Sequence, residues 1–503
     1  MVVSAHGLAS EAGANVLRKG GNAFDAAVAT SLMLGVVEPA FSGIGGGGFA
    51  LLHTSSGEDT ALDYRETAPI KSNASMFDGG SDSNRIGPMA VATPGLLAGH
   101  SEMLERYGTM KFGELARPAI ETAKSGFSTY SVSRDLIQNK DASVMAKMER
   151  FTTTAKIFLS STKFPLLSAT LEGLASEGPA SFYTGSIASA VSKHVNRMGG
   201  IISEEDFARY GLKRRTPIRG EYRGYEVISM PPPSAGGALL IRGLGVVGEA
   251  GGYFAKDEAT RMEFTVALIR SMLEEKAAFG DPDFVDVPLS RLTSKEAIRD
   301  AAKGILSKIG APPQRYPHDV GSTTHFCVVD KKGNAVAATE TVECYYGSGI
   351  SVPGYGILLN DEMHDFDTAP GRPNSVAPLK RPASSMSPTI LLKDGAPFLI
   401  LGASGSERII SSIFQVVTNV VERKMGLRAA LAAPRLHLAP DGLMLEKGFE
   451  AAGVQRLEKL GLSPQVGAKT KLFYGGVQAI LMDQQGTAIG AADPRRAGVA
   501  VGE

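Results

Sequence analysis

Apolar residues change their spacing several times along this chain. Leu8, Ala12 and Val16 recur every fourth position, which predicts a helix over Leu8–Lys19 that Gly20-Gly21 ends. Asn22 is placed to cap a second helix, Ala23–Val36. Phe49–His53 and Thr60–Tyr64 read as short strands around the polar turn Ser55–Asp59. The pattern is helical again from Thr93 to Gly126, and residues 130–215 are expected to be mostly helical, with loops near Lys163-Phe164-Pro165 and Gly178-Pro179. Tyr222–Met230 reads as a strand, Pro231–Gly237 as a rigid turn into a helix, and Glu258–Phe279 as an amphipathic helix. Gly310–Ser322 holds prolines and no periodicity, so it is the best linker candidate. After it the chain turns strand-rich: Thr323–Asp330, Asn334–Val342, Thr389–Leu392 and Phe398–Leu401 precede a helix over Glu407–Arg423.

Composition narrows the class. The chain has 503 residues, 43% of them hydrophobic, enough for a large core in one to three domains. A net charge of +0 gives no pull toward nucleic acid or an anionic membrane. The longest apolar run, Ala26–Val37, falls short of the ~20 residues a spanning helix needs. The N-terminus lacks a basic segment followed by an apolar one. The expectation is therefore cytoplasmic for the sequence as given, or secreted or periplasmic if a leader was removed. Cys327 and Cys344 cannot build a disulfide framework and read as reduced, packed thiols.

Two apparent motifs are set aside. Gly43–Gly48 satisfies G-x-G-x-x-G, but a strand-like run, Phe49–Leu52, follows where a dinucleotide site needs a helix. The eight histidines show no zinc spacing, and His325 and His364 read as structural. No metal or organic cofactor is implied.

The chemistry concentrates at Thr323. It stands where a polar, glycine-containing stretch, Asp319–Ser322, runs into a strand. A threonine hydroxyl is a poor nucleophile without an adjacent base, and cutting the chain before the threonine supplies one in its own amine. That amine has a pKa near ~8, so part of it is neutral at physiological pH.

Thr323-Thr324-His325, Val328-Val329-Asp330 and Gly333–Ala337 resemble the start of the small subunit of the γ-glutamyltranspeptidase family. Gly20–Ala23, Asp63-Tyr64-Arg65-Glu66, Thr93-Pro94-Gly95, Asn360 with Met363, Asp365 and Phe366, Lys380–Thr389 and Ala492–Arg495 resemble it in the same order, over nearly the whole chain. The resemblance implies an α/β (α+β) fold, the four-layer αββα sandwich of the N-terminal-nucleophile hydrolases, with two stacked, mainly antiparallel sheets covered by helices. It implies self-cleavage between Ser322 and Thr323 into a large subunit, 1–322, and a small catalytic subunit, 323–503, which pair around one core.

Site residues carry over by position. Thr323 matches the nucleophile, with Thr324 as its neighbouring competitor. Thr341, eighteen residues on, is expected to orient the Thr323 nitrogen. Arg65 matches the arginine that holds the substrate α-carboxylate, a task suited to a bidentate guanidinium. Ser384 and Ser385 match the serine pair on the same carboxylate. Glu343, Glu362 and Asp365 match positions that bind the substrate α-ammonium. Gly405 and Ser406 match the loop whose backbone N–H groups hold the oxyanion. Ser404-Gly405-Ser406 departs from the usual Pro-Gly-Gly, and Ser406 puts a Cβ where a glycine is usual.

The link Thr368–Leu379 is short where lidded relatives carry an insertion, which implies an open site. The expected activity is γ-glutamyl hydrolysis or transfer, with glutathione as the default donor and water or an amine as acceptor. The alternatives are a glutaryl-type acylase, a poly-γ-glutamate depolymerase, or a non-processing relative kept as a binding or scaffold protein.

Overall fold

The structure is a computed structural model that describes residues 1–78, 82–128, 136, 144, 145, 148–254, 256–308, 321–439 and 442–502. Strands are numbered β1 (Val2–Ser4), β2 (Gly47–His53), β3 (Asp59–Tyr64), β4 (Lys213–Arg215), β5 (Ile218–Tyr222), β6 (Tyr225–Ser229), β7 (Gly321–Val329) and β8 (Ala335–Cys344). They continue as β9 (Thr389–Lys393), β10 (Ala396–Ser404), β11 (Leu436–Ala439), β12 (Gly442–Leu445), β13 (Gln465–Val466), β14 (Gly476–Met482), β15 (Ala488–Ala492) and β16 (Val499–Val501).

These strands form a seven-stranded sheet, β16-β1-β7-β8-β2-β3-β4, and a six-stranded sheet, β15-β14-β10-β9-β6-β5. Neighbours within each are antiparallel, as in the β7–β8, β2–β8, β10–β14 and β6–β9 pairs. A small third sheet, β11-β12-β13, sits apart.

Side-chain alternation builds the layers. Phe326, Val328, Val336 and Ala338 turn to a core shared with helices Gly7–Arg18, Ala23–Val37 and Leu96–Tyr107. Cys327, Val329, Ala335 and Ala337 turn the other way, into a core shared with Leu399 and Leu401 of β10. Helices Gly236–Glu249 and Arg408–Val421 complete that second core from outside. The result is the expected four-layer αββα sandwich of two antiparallel sheets with helices on both outer faces.

Local signals explain the predicted elements. The Asn22 side chain accepts from the N–H groups of Phe24 and Asp25, and Asp25 accepts from Asn22 N–H, a reciprocal cap worth about 1 kcal/mol. The helix it starts, Ala23–Val37, is buried nearly all round, which accounts for the twelve-residue apolar run. The β7–β8 hairpin turns at Gly333, φ 90°, with Asp330 accepting from the N–H groups of Lys332 and Asn334.

Several expectations are revised. Tyr222–Met230 is not one strand: Arg223 and Gly224, both with positive φ, make a turn between β5 and β6. Thr93–Gly126 splits into helices Leu96–Tyr107 and Phe112–Ser125, and Glu258–Lys276 is buried on most of its surface rather than amphipathic. The linker candidate falls outside the described residues up to position 320, and Gly321 and Ser322 already belong to β7. β1, β16 and the small third sheet carried no sequence signal, being two to four residues each. Among the described residues, no helix is long and apolar enough to cross a membrane.

Candidate active site

The Ser322–Thr323 peptide bond lies inside β7, not in a loop before it. Thr323 pairs with Thr341 across β7–β8, but Ser322 pairs with Glu343, so Val342 is the extra residue of a β-bulge. The bulge re-aims Thr341. Its hydroxyl accepts from Glu343 N–H at 2.8 Å and donates to the Ser322 carbonyl at 2.5 Å. In the uncut chain, therefore, Thr341 polarises the carbonyl of the bond expected to break, rather than touching the Thr323 nitrogen. Glu343 ends the bulge at φ 76°, an unfavourable conformation for a residue with a Cβ. The floor beneath is tight: a Cβ on Gly46 would lie 2.1 Å from the Thr341 carbonyl oxygen, so no other residue fits there.

Strand alternation separates the two threonines. Cys327 Sγ reaches the carbonyls of Ile400 and Gln478 on the six-stranded sheet, and the His325 ring packs on Gly402 of β10. Thr323 lies on this same inter-sheet face, toward the end of β10. Thr324 faces the helices opposite, paired with Glu340, and its hydroxyl is buried without a hydrogen-bond partner. Where β10 ends, Gly405 has φ 127° and Ser406 φ 55°. Gly405 packs against Gly475, and a Cβ on it would come within 2.9 Å of the Gly475 Cα.

Arg496 joins that loop to Thr323. Its Nη2 donates to the Thr323 carbonyl at 3.3 Å and to Ser404 Oγ at 2.8 Å, and its guanidinium stacks 4.2 Å from the Phe41 ring centre. Glu38 is buried within the electrostatic reach of Arg496. Burial pushes the Glu38 carboxyl up to about 7, and Arg496 limits the rise. Sequence reasoning missed both residues. The only available signal was the position of Arg496 directly after the Ala492–Arg495 motif.

The recognition residues gather beside Glu343. Arg65, 1% exposed, bonds Glu362 Oε1 at 2.7 Å, Asp365 Oδ2, and the carbonyls of Pro382 and Ala383. Glu343, Glu362 and Asp365 present carboxylate oxygens within 4.8 Å of one another. Burial works against the Arg65 charge, but Glu362, Asp365, Glu66 and Glu343 outweigh it and hold the guanidinium protonated. So many acids around one cation raise one another's pKa: burial and the neighbouring Asp365 push Glu66 well above the usual carboxylate range, against the pull of Arg65. Burial likewise drives Glu362 well above the usual carboxylate range, against the pull of Arg65.

Ser384 and Ser385 follow directly on the two carbonyls that hold Arg65. Ser384 Oγ accepts from Met386 N–H, while the Ser385 hydroxyl is buried without a hydrogen-bond partner. The fold thus unites Ser322, Thr323, Thr341, Glu343, Glu362, Asp365 and Arg65 through direct contacts or strand pairing, with Ser384 and Ser385 next to the Arg65 carbonyl ligands. Gly405 and Ser406 join through Ser404 and Arg496. The short link after Asp367 folds back on the site, with Asn374 Nδ2 on the Asp365 carbonyl at 2.6 Å.

Residues 9–503 match the Gamma-glutamyltranspeptidase family model. The chain is 37% identical to the glutathione hydrolase proenzyme of Escherichia coli (strain K12), across 98% of this chain and 90% of that protein. It is 35% identical to the Acylase ACY 1 proenzyme of Pseudomonas sp. (strain SE83), across 100% of this chain and 93% of that protein. A cephalosporin acylase from Bacillus halodurans superposes with a TM-score of 0.88 at 26% identity, over 99% of this chain and 94% of that one. Helicobacter pylori gamma-glutamyltranspeptidase gives 0.53 at 37% identity, over 60% of this chain and 90% of that one. With the family model covering almost the full length, the chain belongs to the gamma-glutamyltranspeptidase family of enzymes.

Proposed function

We propose that this protein is a self-processing γ-glutamyl hydrolase and transferase whose nucleophile is Thr323. The observation that carries the reading is the bulge that holds the Ser322 carbonyl on the Thr341 hydroxyl, one residue before a threonine on the inter-sheet face. In the precursor, Thr323 Oγ attacks the Ser322 carbonyl carbon, and Thr341 stabilises the charge that builds on its oxygen. The peptide C–N bond breaks as the acyl group moves to Oγ. Water then hydrolyses the ester, leaving a carboxylate on Ser322 and an amine on Thr323. The two subunits would be 1–322 and 323–503, and each contributes strands to both large sheets, so they stay together after the cut.

In turnover the freed amine acts as base for its own hydroxyl, with Thr341 in register opposite to orient it. Thr323 attacks the donor γ-carbonyl, the Gly405 and Ser406 amides hold the oxyanion, and the amine or peptide leaves. Water or an acceptor amine releases the γ-glutamyl group. Glu343, Glu362 and Asp365 suit the donor ammonium, and Arg65 with Ser384 and Ser385 suits its carboxylate. The internal pairing of Arg65 with Asp365 means that a donor carboxylate competes for the guanidinium while its ammonium takes over the acid.

A second reading, a glutaryl-type acylase, rests on the likeness to the acylase proenzyme. A glutaryl group lacks the ammonium that the acidic trio would hold. The short link after Asp367 supports an open site that accepts long γ-glutamyl chains. Paired anilide substrates test the main reading. A γ-glutamyl anilide should be cleaved with at least tenfold higher kcat/KM than its glutaryl counterpart, and mass spectrometry of rapidly quenched protein should find the γ-glutamyl group on Thr323. Preference for the glutaryl anilide would favour the acylase, and acylation of another residue would overturn the nucleophile.

A further inference from the structure

Glu343 and Cys344 are consecutive on β8, so in a regular strand their side chains would point to opposite faces. The left-handed backbone at Glu343 brings them to the same side, with Cys344 Sγ 3.9 Å from Glu343 Oε1. The 3-10 turn Glu362–Asp365 delivers a third group to the same point. Asp361 Oδ1 accepts from Cys344 N–H at 2.9 Å and pins that turn to the end of β8. His364 Nδ1 then lies 3.1 Å from Glu343 Oε1 and 3.7 Å from Cys344 Sγ.

A thiol, an imidazole and a carboxylate form a mixed donor set. A tetrahedral zinc ion has bonds of about 2.3 Å to sulfur and about 2.0–2.1 Å to nitrogen and oxygen. The edges between its ligand atoms are then about 3.6 Å for pairs with sulfur and about 3.3 Å for nitrogen to oxygen. The three separations here match those edges to within about 0.4 Å. The three donor atoms are therefore spaced as three corners of a tetrahedral zinc site would be. Cys344 and Glu343 are buried at 2% and 6% exposure, while the His364 side chain keeps 16% of its surface open, which gives a route in.

We propose that Glu343, Cys344 and His364 form a binding site for zinc or another thiol-seeking divalent cation, with the fourth position open to water. Binding releases the thiol proton and any imidazolium proton to solvent. Sulfur ligation excludes magnesium and calcium, which take oxygen ligands. The neighbouring all-oxygen trio of Glu343, Glu362 and Asp365 is a different case, since Arg65 already engages two of its members. One consequence rests on the proposed function: a cation on Glu343 withdraws a carboxylate from the donor ammonium, so zinc should raise the donor KM.

Cobalt(II), titrated into the reduced full-length protein, tests the site. One equivalent should bind with a thiolate-to-cobalt charge-transfer band, and zinc but not magnesium should displace it. The band should vanish in Cys344→Ser, which keeps the other thiol, Cys327. It should persist with weaker affinity in His364→Asp, which retains an oxygen ligand. Stoichiometric zinc should also raise the melting midpoint of the unaltered protein, a readout that no variant's folding can disturb. No band in the unaltered protein, or an unchanged band in Cys344→Ser, would overturn the site. Cobalt binding without a rise in donor KM would leave the site standing and remove Glu343 from the donor pocket.

Discussion

The Thr341 hydroxyl donates to the Ser322 carbonyl oxygen at 2.5 Å, across a bulge that offsets Ser322 from its regular partner. A hydrogen-bond donor aimed at a carbonyl where charge will develop is worth about 10²-fold or more in rate. Thr341→Val should slow conversion of precursor by about that factor, while Thr341→Ser, which keeps a hydroxyl, should process at a rate near the original. A time course of the freshly made precursor on a denaturing gel checks both.

Arg496 carries a second expectation. Removing it leaves the Thr323 carbonyl and Ser404 Oγ without their shared donor, and buried Glu38 without the cation that favours its charged form. Arg496→Met should cost about 1–3 kcal/mol of stability, the order expected when buried acceptors lose a charged hydrogen-bond donor. Adding Glu38→Gln should recover part of that loss, because a neutral amide no longer needs the cation. Denaturant titration of the two single variants and the double variant measures the coupling.

Ser406 sits at φ 55°, where a Cβ costs about 1–2 kcal/mol. Ser406→Gly should therefore raise stability by about 1 kcal/mol, after allowing for the freer unfolded chain. A fall in stability would mean that the serine side chain makes contacts that outweigh the strain.

Buried acids set a pH dependence. Burial raises Glu340 from its ordinary 4.5 to about 7, opposed by hydrogen bonds from Ser31 and Tyr64. The folded state thus holds a proton that the unfolded state releases, so stability falls as pH climbs from about 4.5 to about 7 and then levels off. Glu340→Gln should flatten that part of the stability curve. An equally steep decline in the variant would assign it to other acids, such as Glu38 or Glu66.

Much of this was legible in the sequence because the signals were local. Asn22 announced its cap and the helix after it, and the strand-like run Thr323–Asp330 announced a strand. The motif positions also assign Thr323, Arg65, Glu343, Glu362 and Asp365 to one site. What stayed hidden depends on register and distance. The bulge at Val342 leaves no mark in composition, so the turn of Thr341 onto the Ser322 carbonyl could not be read. The meeting of Cys344 with His364 spans twenty residues and no recognisable metal spacing. Arg496 reaches Thr323 across 173 residues, a contact fixed only when both sheets are assembled.

The central claim is that the chain cuts itself before Thr323, and the intact mass of the purified protein under denaturing conditions tests it most directly. Two fragments that meet between Ser322 and Thr323, replaced by one full-length mass in Thr323→Ala, are the predicted result. A single full-length mass in the unaltered protein would contradict it, since Thr323 would then have no free amine to act as its base.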